Sequence, residues 1–406
     1  MSSSDRRPRN HEVEEIPDDS PDYDSAGDEG LSTEDLSGLV LYTLDWSVQS
    51  LLERIGTTFD IAPTFQRRDA WSLDRKSRYI ESLIVGLPVP QIVLAEDPDK
   101  KGRFIVLDGK QRLVTIKQFA SPNDDFKSFK LRNLEFANEV EGMTFADMQN
   151  SVTASEHAEN FLAQPIRTIV LRNWTNPAVL YQVFVRLNQG SLSLSPQELR
   201  QALYPSEFTK WINTRSAKSD EIQSARRLKQ EDFRMRDAEM LLRYVAFQES
   251  IETYGGNLRK FLDDACIDGA RKWKVEGASY FEDLALRCET AIQRTELAFG
   301  VKNAFLRWDS DAYIRRFNIA VFDLMTAVLG DPSITNAEFE KHAPAFREAF
   351  ENLCDEDQEF ASRLVSTTKT PSATSGRIQR FGEAAAAIVG HDLQIVGRAE
   401  AMLERS

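Results

Sequence analysis

The run Val106-Leu107-Asp108-Gly109-Lys110-Gln111-Arg112-Leu113 gathers the residue types of phosphoryl chemistry in one place. An apolar strand delivers an acid and a glycine, and Lys, Gln and Arg follow in the first turn of a helix. Gly109 allows a tight backbone turn. The unpaired N–H groups at the start of a helix make an anion site. Lys110 or Arg112 could add charge-assisted hydrogen bonds to phosphate oxygens. Asp108 could hold a divalent metal or activate a water, and Gln111 could orient that water. Spacing alone also fits a plain Asp-Gly turn followed by solvated cations. Neither a Walker A pattern nor Gly-x-Gly-x-x-Gly occurs.

The elements that must position this turn are legible in the pattern. Leu51, Leu52 and Ile55 predict a short helix before Gly56, and Thr58–Thr64 reads as extended. Tyr79, Ile80, Leu83, Ile84 and Leu87 form one apolar stripe, which predicts a helix over 72–87 ended by Gly86 and Pro88. Gln91–Ala95 and Phe104–Leu107 read as short strands separated by a polar turn, and Gln111–Phe119 as a helix. Residues 123–163 are polar and undecided. Ile166–Leu171 is another strand. Asn176-Pro177 and Ser195-Pro196-Gln197-Glu198 both open helices, the second as a capping box with Pro at the first helical position. Further helices are expected over 238–252, 280–299, 311–329, 336–352 and 378–388, with a Ser/Thr-rich loop over 366–376. The expected class is α+β, a small sheet followed by a mostly helical part. Expected divisions are residues 1–38, 39–215 and 216–406.

Composition limits the rest. The chain has 406 residues, 41% hydrophobic, enough for sizeable cores, and no apolar stretch suits an ordinary transmembrane helix. The N-terminus lacks the apolar region of a signal peptide. Cys266, Cys288 and Cys354 are too scattered for a disulfide framework or a zinc site, so free thiols in a cytoplasmic protein are expected. Net charge is −14, which argues against a generally basic nucleic-acid coat. Residues 1–37 hold twelve acids and three arginines, a net −9 that leaves −5 on the other 369 residues. This stretch reads as a disordered acidic tail, either solubilising or mimicking nucleic-acid phosphate for a basic groove.

Several motifs, in order, carry a resemblance. Phe65-Gln66-Arg67-Arg68-Asp69-Ala70-Trp71, the helix end Gly86-Leu87-Pro88-Val89-Pro90 and Leu107-Asp108-Gly109-Lys110-Gln111-Arg112-Leu113 come first. Phe184-Val185-Arg186-Leu187-Asn188, Leu194-Ser195-Pro196-Gln197-Glu198-Leu199-Arg200 and Arg236-Asp237-Ala238-Glu239 with Arg243 follow. Together, from about Leu39 to Tyr244, they resemble the GmrSD-type restriction protein N-terminal domain, a family similar to the ParB/sulfiredoxin-like fold. Its marks are Phe-Gln-Arg-x-x-x-Trp, a Pro-x-Pro lead into a strand, and Asp-Gly-Gln-Gln-Arg.

The resemblance implies a nucleotide-binding, NTP-hydrolysing module in restriction-type, antiphage defence against foreign DNA, controlling a separate nuclease. It implies Asp108 and Gln111 as catalytic, with Gln66, Arg67, Gly109, Lys110, Arg112, Arg186 and Asn188 around the nucleotide. Asp108 would be metal ligand or base and Arg112 the phosphate clamp, with Mg²⁺ because phosphates usually bring it. Lys110 departs from the family's first Gln, and a lysine only donates where an amide also accepts. That departure keeps open a non-catalytic DNA-binding adaptor with a vestigial nucleotide site.

Other readings of these residues stay open. Arg67 and Arg68 could be solvated loop charges, Trp71 a hydrophobic anchor, and Arg186 a partner of its own helix C-terminus. His11, His157, His342 and His391 are scattered, and no nuclease motif emerges, so cleavage would fall to a partner subunit. Arg226, Arg227, Lys229 and Arg234 form a second basic cluster, read either as a salt-bridged helix face or as a DNA-backbone contact.

Overall fold

The computed structural model describes residues 33–59, 71–187, 195–228, 232, 234–365 and 368–404. The chain is α+β, in two compact units, one formed by the described residues through Pro205 together with Arg234 and Met235, the other by the remaining described residues from Ser206 onward.

In the first unit, Thr33–Ser37 is a short helix (α1) where the sequence suggests the end of a disordered tail; residues 1–32 lie outside the described residues. Strand β1 (Val40–Ser47) leads through the Ser47 cap into α2 (Val48–Arg54). Helix α3 (Leu73–Ile84) starts at the Ser72 cap. Strands β2 (Ile92–Glu96) and β3 (Phe104–Asp108) come next, then α4 (Lys110–Ala120), α5 (Phe145–Gln149) and α6 (Ser155–Ala163). Strand β4 (Pro165–Arg172), α7 (Pro177–Leu187) and α8 (Pro196–Leu203) complete the unit.

The sheet order is β1-β4-β2-β3, with β1/β4 and β2/β3 antiparallel and β2/β4 parallel. Side chains alternate across it. Ile92, Leu94, Val106, Ile166 and Val170 face a core shared with α2 to α6, while Val93, Ala95, Leu107 and Leu171 face Leu180, Tyr181 and Leu199 of α7 and α8. Both faces are covered, which is why β2 and β3 read as continuous apolar runs. The polar stretch after α4 is fixed by α3. The buried Glu81 carboxylate accepts the N–H groups of Glu135, Phe136 and Ala137 at 2.8, 2.7 and 3.0 Å. Ser77 Oγ accepts that of Arg132 at 3.1 Å.

The second unit comprises α9 (Glu207–Ser216), α10 (Asp220–Arg226), α11 (Arg236–Ser250) and α12 (Leu258–Phe299), broken at Gly277 where φ is 74°. A hairpin, β5 (Leu306–Asp309) and β6 (Ala312–Phe317), precedes α13 (Ile319–Leu329). This corrects the single helix expected over 311–329: the Asn318 side chain caps α13 afresh by accepting the Val321 N–H at 3.0 Å. Helices α14 (Asn336–Glu356), α15 (Gln358–Arg363), α16 (Pro371–Val389) and α17 (Gln394–Glu404) follow. The expected loop over 366–376 is helical from Pro371. Thr370 caps it, and its hydroxyl residues bond to backbone, Thr374 to Thr368 O and Ser375 to Ala399 O. Among the described residues no helix is long and apolar enough to cross a membrane.

Candidate functional site

The site is built where β3 ends and α4 begins. Gly109 is the N-cap of α4 at φ 98°, a left-handed conformation that costs other residues energy, and it brings no side-chain cap. A Cβ there would stand 3.0 Å from Ile92 Cγ1 and 3.4 Å from Ile92 Cα, so any side chain would press on β2. Asp108 Oδ1 accepts the Gly109 N–H at 2.7 Å, and Oδ2 accepts Arg112 Nη2 at 2.7 Å. Arg112 Nη1 donates to Pro90 O at 2.8 Å and to Gln91 O. The buried guanidinium thus ties the Pro-x-Pro lead, the end of β3 and the first turn of α4 into one piece.

Lys110 points to α8. Its Nζ donates to Glu198 Oε1 at 2.9 Å, and both side chains are buried. Glu198 Oε2 accepts the Ser195 N–H at 2.7 Å, closing the capping box of α8. Two acids and two bases therefore neutralise one another across the site. Beside them stand buried atoms with no partner among the described residues. Gln111 Oε1 is one, and the Tyr79 hydroxyl on α3 is another. Burial pushes the Tyr79 pKa up, and the Arg112 charge pulls it the other way. Glu198 and Tyr79 are absent from the sequence-derived site. The capping box marks Glu198 as a helix start, and the apolar stripe marks Tyr79 as core; neither pattern reveals their reach toward the turn.

The remaining candidates distribute as follows. Gln66, Arg67 and Asn188 lie outside the described residues, and Arg186 falls on α7 with its side chain outside them. Trp71 is partly buried against the core, edge-on to Tyr79 at 5.5 Å, with the Arg75 guanidinium 4.7 Å over its ring. In the second unit, Arg226 is buried with its guanidinium 4.4 Å over Phe317. Arg227 is buried too and donates to Lys302 O; burial, then the Arg315 charge, lowers its pKa. These two side chains are spent on packing. Arg234 is exposed, and Lys229 lies outside the described residues.

Among the described residues no three His, Cys, Asp or Glu side chains cluster to hold a metal. Asp108 would be a single carboxylate ligand, which suits Mg²⁺ because that ion is bound by one or two carboxylates plus substrate phosphates.

Residues 48–205 match the model of the family described as GmrSD restriction endonuclease, N-terminal domain. Comparisons with curated proteins and with solved structures gave no match. The segment 48–205, which carries the Asp108–Arg112 turn and both of its ion pairs, belongs to the GmrSD restriction endonuclease N-terminal domain family.

Proposed function

We propose that the first unit binds and hydrolyses a nucleoside triphosphate at the β3–α4 turn, and that this controls a restriction-type response to foreign DNA. The carrying observation is Gln111 Oε1, buried and unpartnered in the first turn of a helix that has no side-chain cap. An amide oxygen only accepts, so it calls for a donor such as the attacking water. Phosphate oxygens would sit at the N-terminus of α4. Water oxygen would attack the terminal phosphorus and the bond to the bridging oxygen would break, with the water's proton passing to Asp108. Arg112 and Lys110 hold the frame, since each already has a carboxylate partner. Among the described residues the cations at the turn are already paired with carboxylates, which gives a reason for Mg²⁺ as a counter-ion for the triphosphate. When bound, Mg²⁺ would neutralise phosphate charge; Asp108 would be its protein ligand where it does not serve as the base. Gln66 and Arg67 join the pocket in this reading by their family positions.

The same balance favours a second reading, a DNA-binding adaptor whose turn is plain structure. Phosphate release from a panel of nucleoside triphosphates with Mg²⁺, with and without DNA, separates the two. Turnover should vanish in Asp108→Ala and fall at least tenfold in Gln111→Ala, whose side-chain oxygen bonds nothing among the described residues and whose loss should leave folding unchanged. Absence of both turnover and nucleotide binding in the wild-type chain would refute the first reading. Salt-dependent DNA binding would then support the adaptor.

A further inference from the structure

The hairpin β5–β6 in the second unit is not a plain ladder. Leu306 pairs with Phe317 and Trp308 with Tyr313, so Ile314, Arg315 and Arg316 stand opposite the single residue Arg307. Such a bulge takes residues out of the ladder and re-aims their side chains. Here it gathers three arginines on one short stretch, and Arg315 and Arg316 are exposed. Two neighbouring segments bring further positive charge to the foot of the hairpin. At the end of α10, Arg226 lies 4.4 Å over the Phe317 ring and Arg227 donates through Nη2 to Lys302 O. Lys302 is itself exposed, in the turn between α12 and β5. The Arg315 charge is felt by the buried Arg227, so like charges are held together here.

The acids nearby are engaged elsewhere. Asp309 takes Arg307 at 3.3 Å, Glu351 accepts the Tyr313 hydroxyl at 2.6 Å, and Asp355 accepts the Trp308 indole N–H at 2.9 Å. Asp311 sits at the turn of the hairpin, the far end from Phe317. Lys302 and Arg315 make no ion pair among the described residues. Other exposed arginines of this unit do: Arg271 holds Asp268 at 2.7 Å and Arg380 holds Asp357 at 3.5 Å. In a chain of net charge −14, the foot of the hairpin is a local concentration of positive charge open to solvent.

We propose that the foot of the β5–β6 hairpin contacts the phosphate backbone of duplex DNA through Lys302 and Arg315. Arg226 and Arg227 are the buried support, holding Phe317 and the Lys302 backbone in place. The proposal rests on the reading that the chain responds to DNA, and it sets the contact outside the matched segment 48–205. Exposed cations on an open strand and turn suit a line of phosphates, which a duplex presents without needing a pocket. Such contacts position a protein on DNA and carry no sequence information.

The probe is a fluorescent duplex of about 20 base pairs, titrated with the full chain from about 50 to 200 mM salt. No nucleotide is added, so a failure of the nucleotide reading leaves this measurement intact. Log affinity should fall with log salt with a slope of at least about 1.8, the value for two phosphate contacts. Lys302→Ala and Arg315→Ala should each reduce the slope by about 0.9 and weaken binding about threefold, and the double variant about tenfold. Both side chains are exposed, so these variants should fold. Lys274→Ala, on α12 before its break, should change neither quantity. The proposal is overturned if the wild-type chain does not bind the duplex, if the double variant binds as wild type does, or if Lys274→Ala costs as much as Arg315→Ala. Displacement of the duplex by poly-glutamate of equal charge would assign the surface to an acidic protein segment and overturn it as well.

Discussion

The Lys110 ammonium and the Glu198 carboxylate meet at 2.9 Å, both buried, 88 residues apart in the chain. Lys110 stands where the family's motif carries Gln, and Glu198 also closes the capping box of α8 through the Ser195 N–H. The lysine therefore joins α4 to α8. Removing it strands a buried carboxylate, so Lys110→Ala should lose about 3–5 kcal/mol in denaturant unfolding. Lys110→Gln restores a neutral donor and should lose under about 2 kcal/mol. The double variant with Glu198→Ala should be less damaged than the sum of its parts. If Lys110 is a strut, Lys110→Gln keeps nucleotide affinity. A tenfold loss of affinity with intact stability would return it to the phosphate.

Gly109→Ala tests the turn itself. The left-handed backbone costs a residue with Cβ about 1–2 kcal/mol, and the new methyl presses on Ile92 at 3.0 Å. Because the neighbour includes β2 backbone, relief must come from moving the start of α4. A destabilisation of about 2–4 kcal/mol is expected. Equilibrium unfolding measures it, and a change under about 0.5 kcal/mol would show that the turn adapts freely.

Tyr79→Phe separates packing from binding. The hydroxyl is buried without a partner, and burial raises its pKa, so it stays protonated through neutral pH. An unsatisfied hydroxyl costs stability. Its removal, with the ring kept, should leave the free protein unchanged or up to about 1 kcal/mol more stable. If a ligand beside Arg112 uses the hydroxyl, the same variant weakens nucleotide binding about tenfold. Unchanged affinity in a wild-type protein that does bind nucleotide would assign Tyr79 to the core alone.

These residues also show what the sequence discloses. The turn from Asp108 to Arg112 is legible because strand end, glycine and helix start are local and adjacent. Strand β1 carries a usable signal, since Tyr42, Leu44 and Trp46 alternate and pack on the core. The hairpin before α13 escapes because Phe317, Val321, Leu324 and Val328 keep helical spacing across the Asn318 cap. All four are indeed buried, but Phe317 belongs to β6. The Lys110–Glu198 pair escapes for a different reason. Its members are set together by the sheet with helices on both faces, and no local pattern encodes a contact at that separation. Arg226 and Arg227 read as surface charge because composition cannot tell a solvated guanidinium from one packed on a ring.

The second unit offers a pH-dependent test. Arg215 donates to Glu289 through Nη1 and Nη2 at 2.6 and 2.9 Å and to Glu282 through Nε at 2.7 Å. Burial alone would raise the Glu289 pKa; the hydrogen bonds from Arg215 and Ser219 outweigh it and hold the carboxyl below its ordinary 4.5. The folded state therefore favours the ionised form more than the unfolded chain does. The resulting stability is fully present above that ordinary value and is lost as pH falls through the lower folded value. Glu289→Gln keeps the size and removes the charge, and should cost about 1.5–3 kcal/mol near neutral pH. The gap between wild type and variant should close as pH falls below 4.5. Urea unfolding from neutral pH down to about pH 3 follows both curves. A gap that stays constant through the acid range would mean that Glu289 contributes by packing, with its ionisation playing no part in holding α9 to α12.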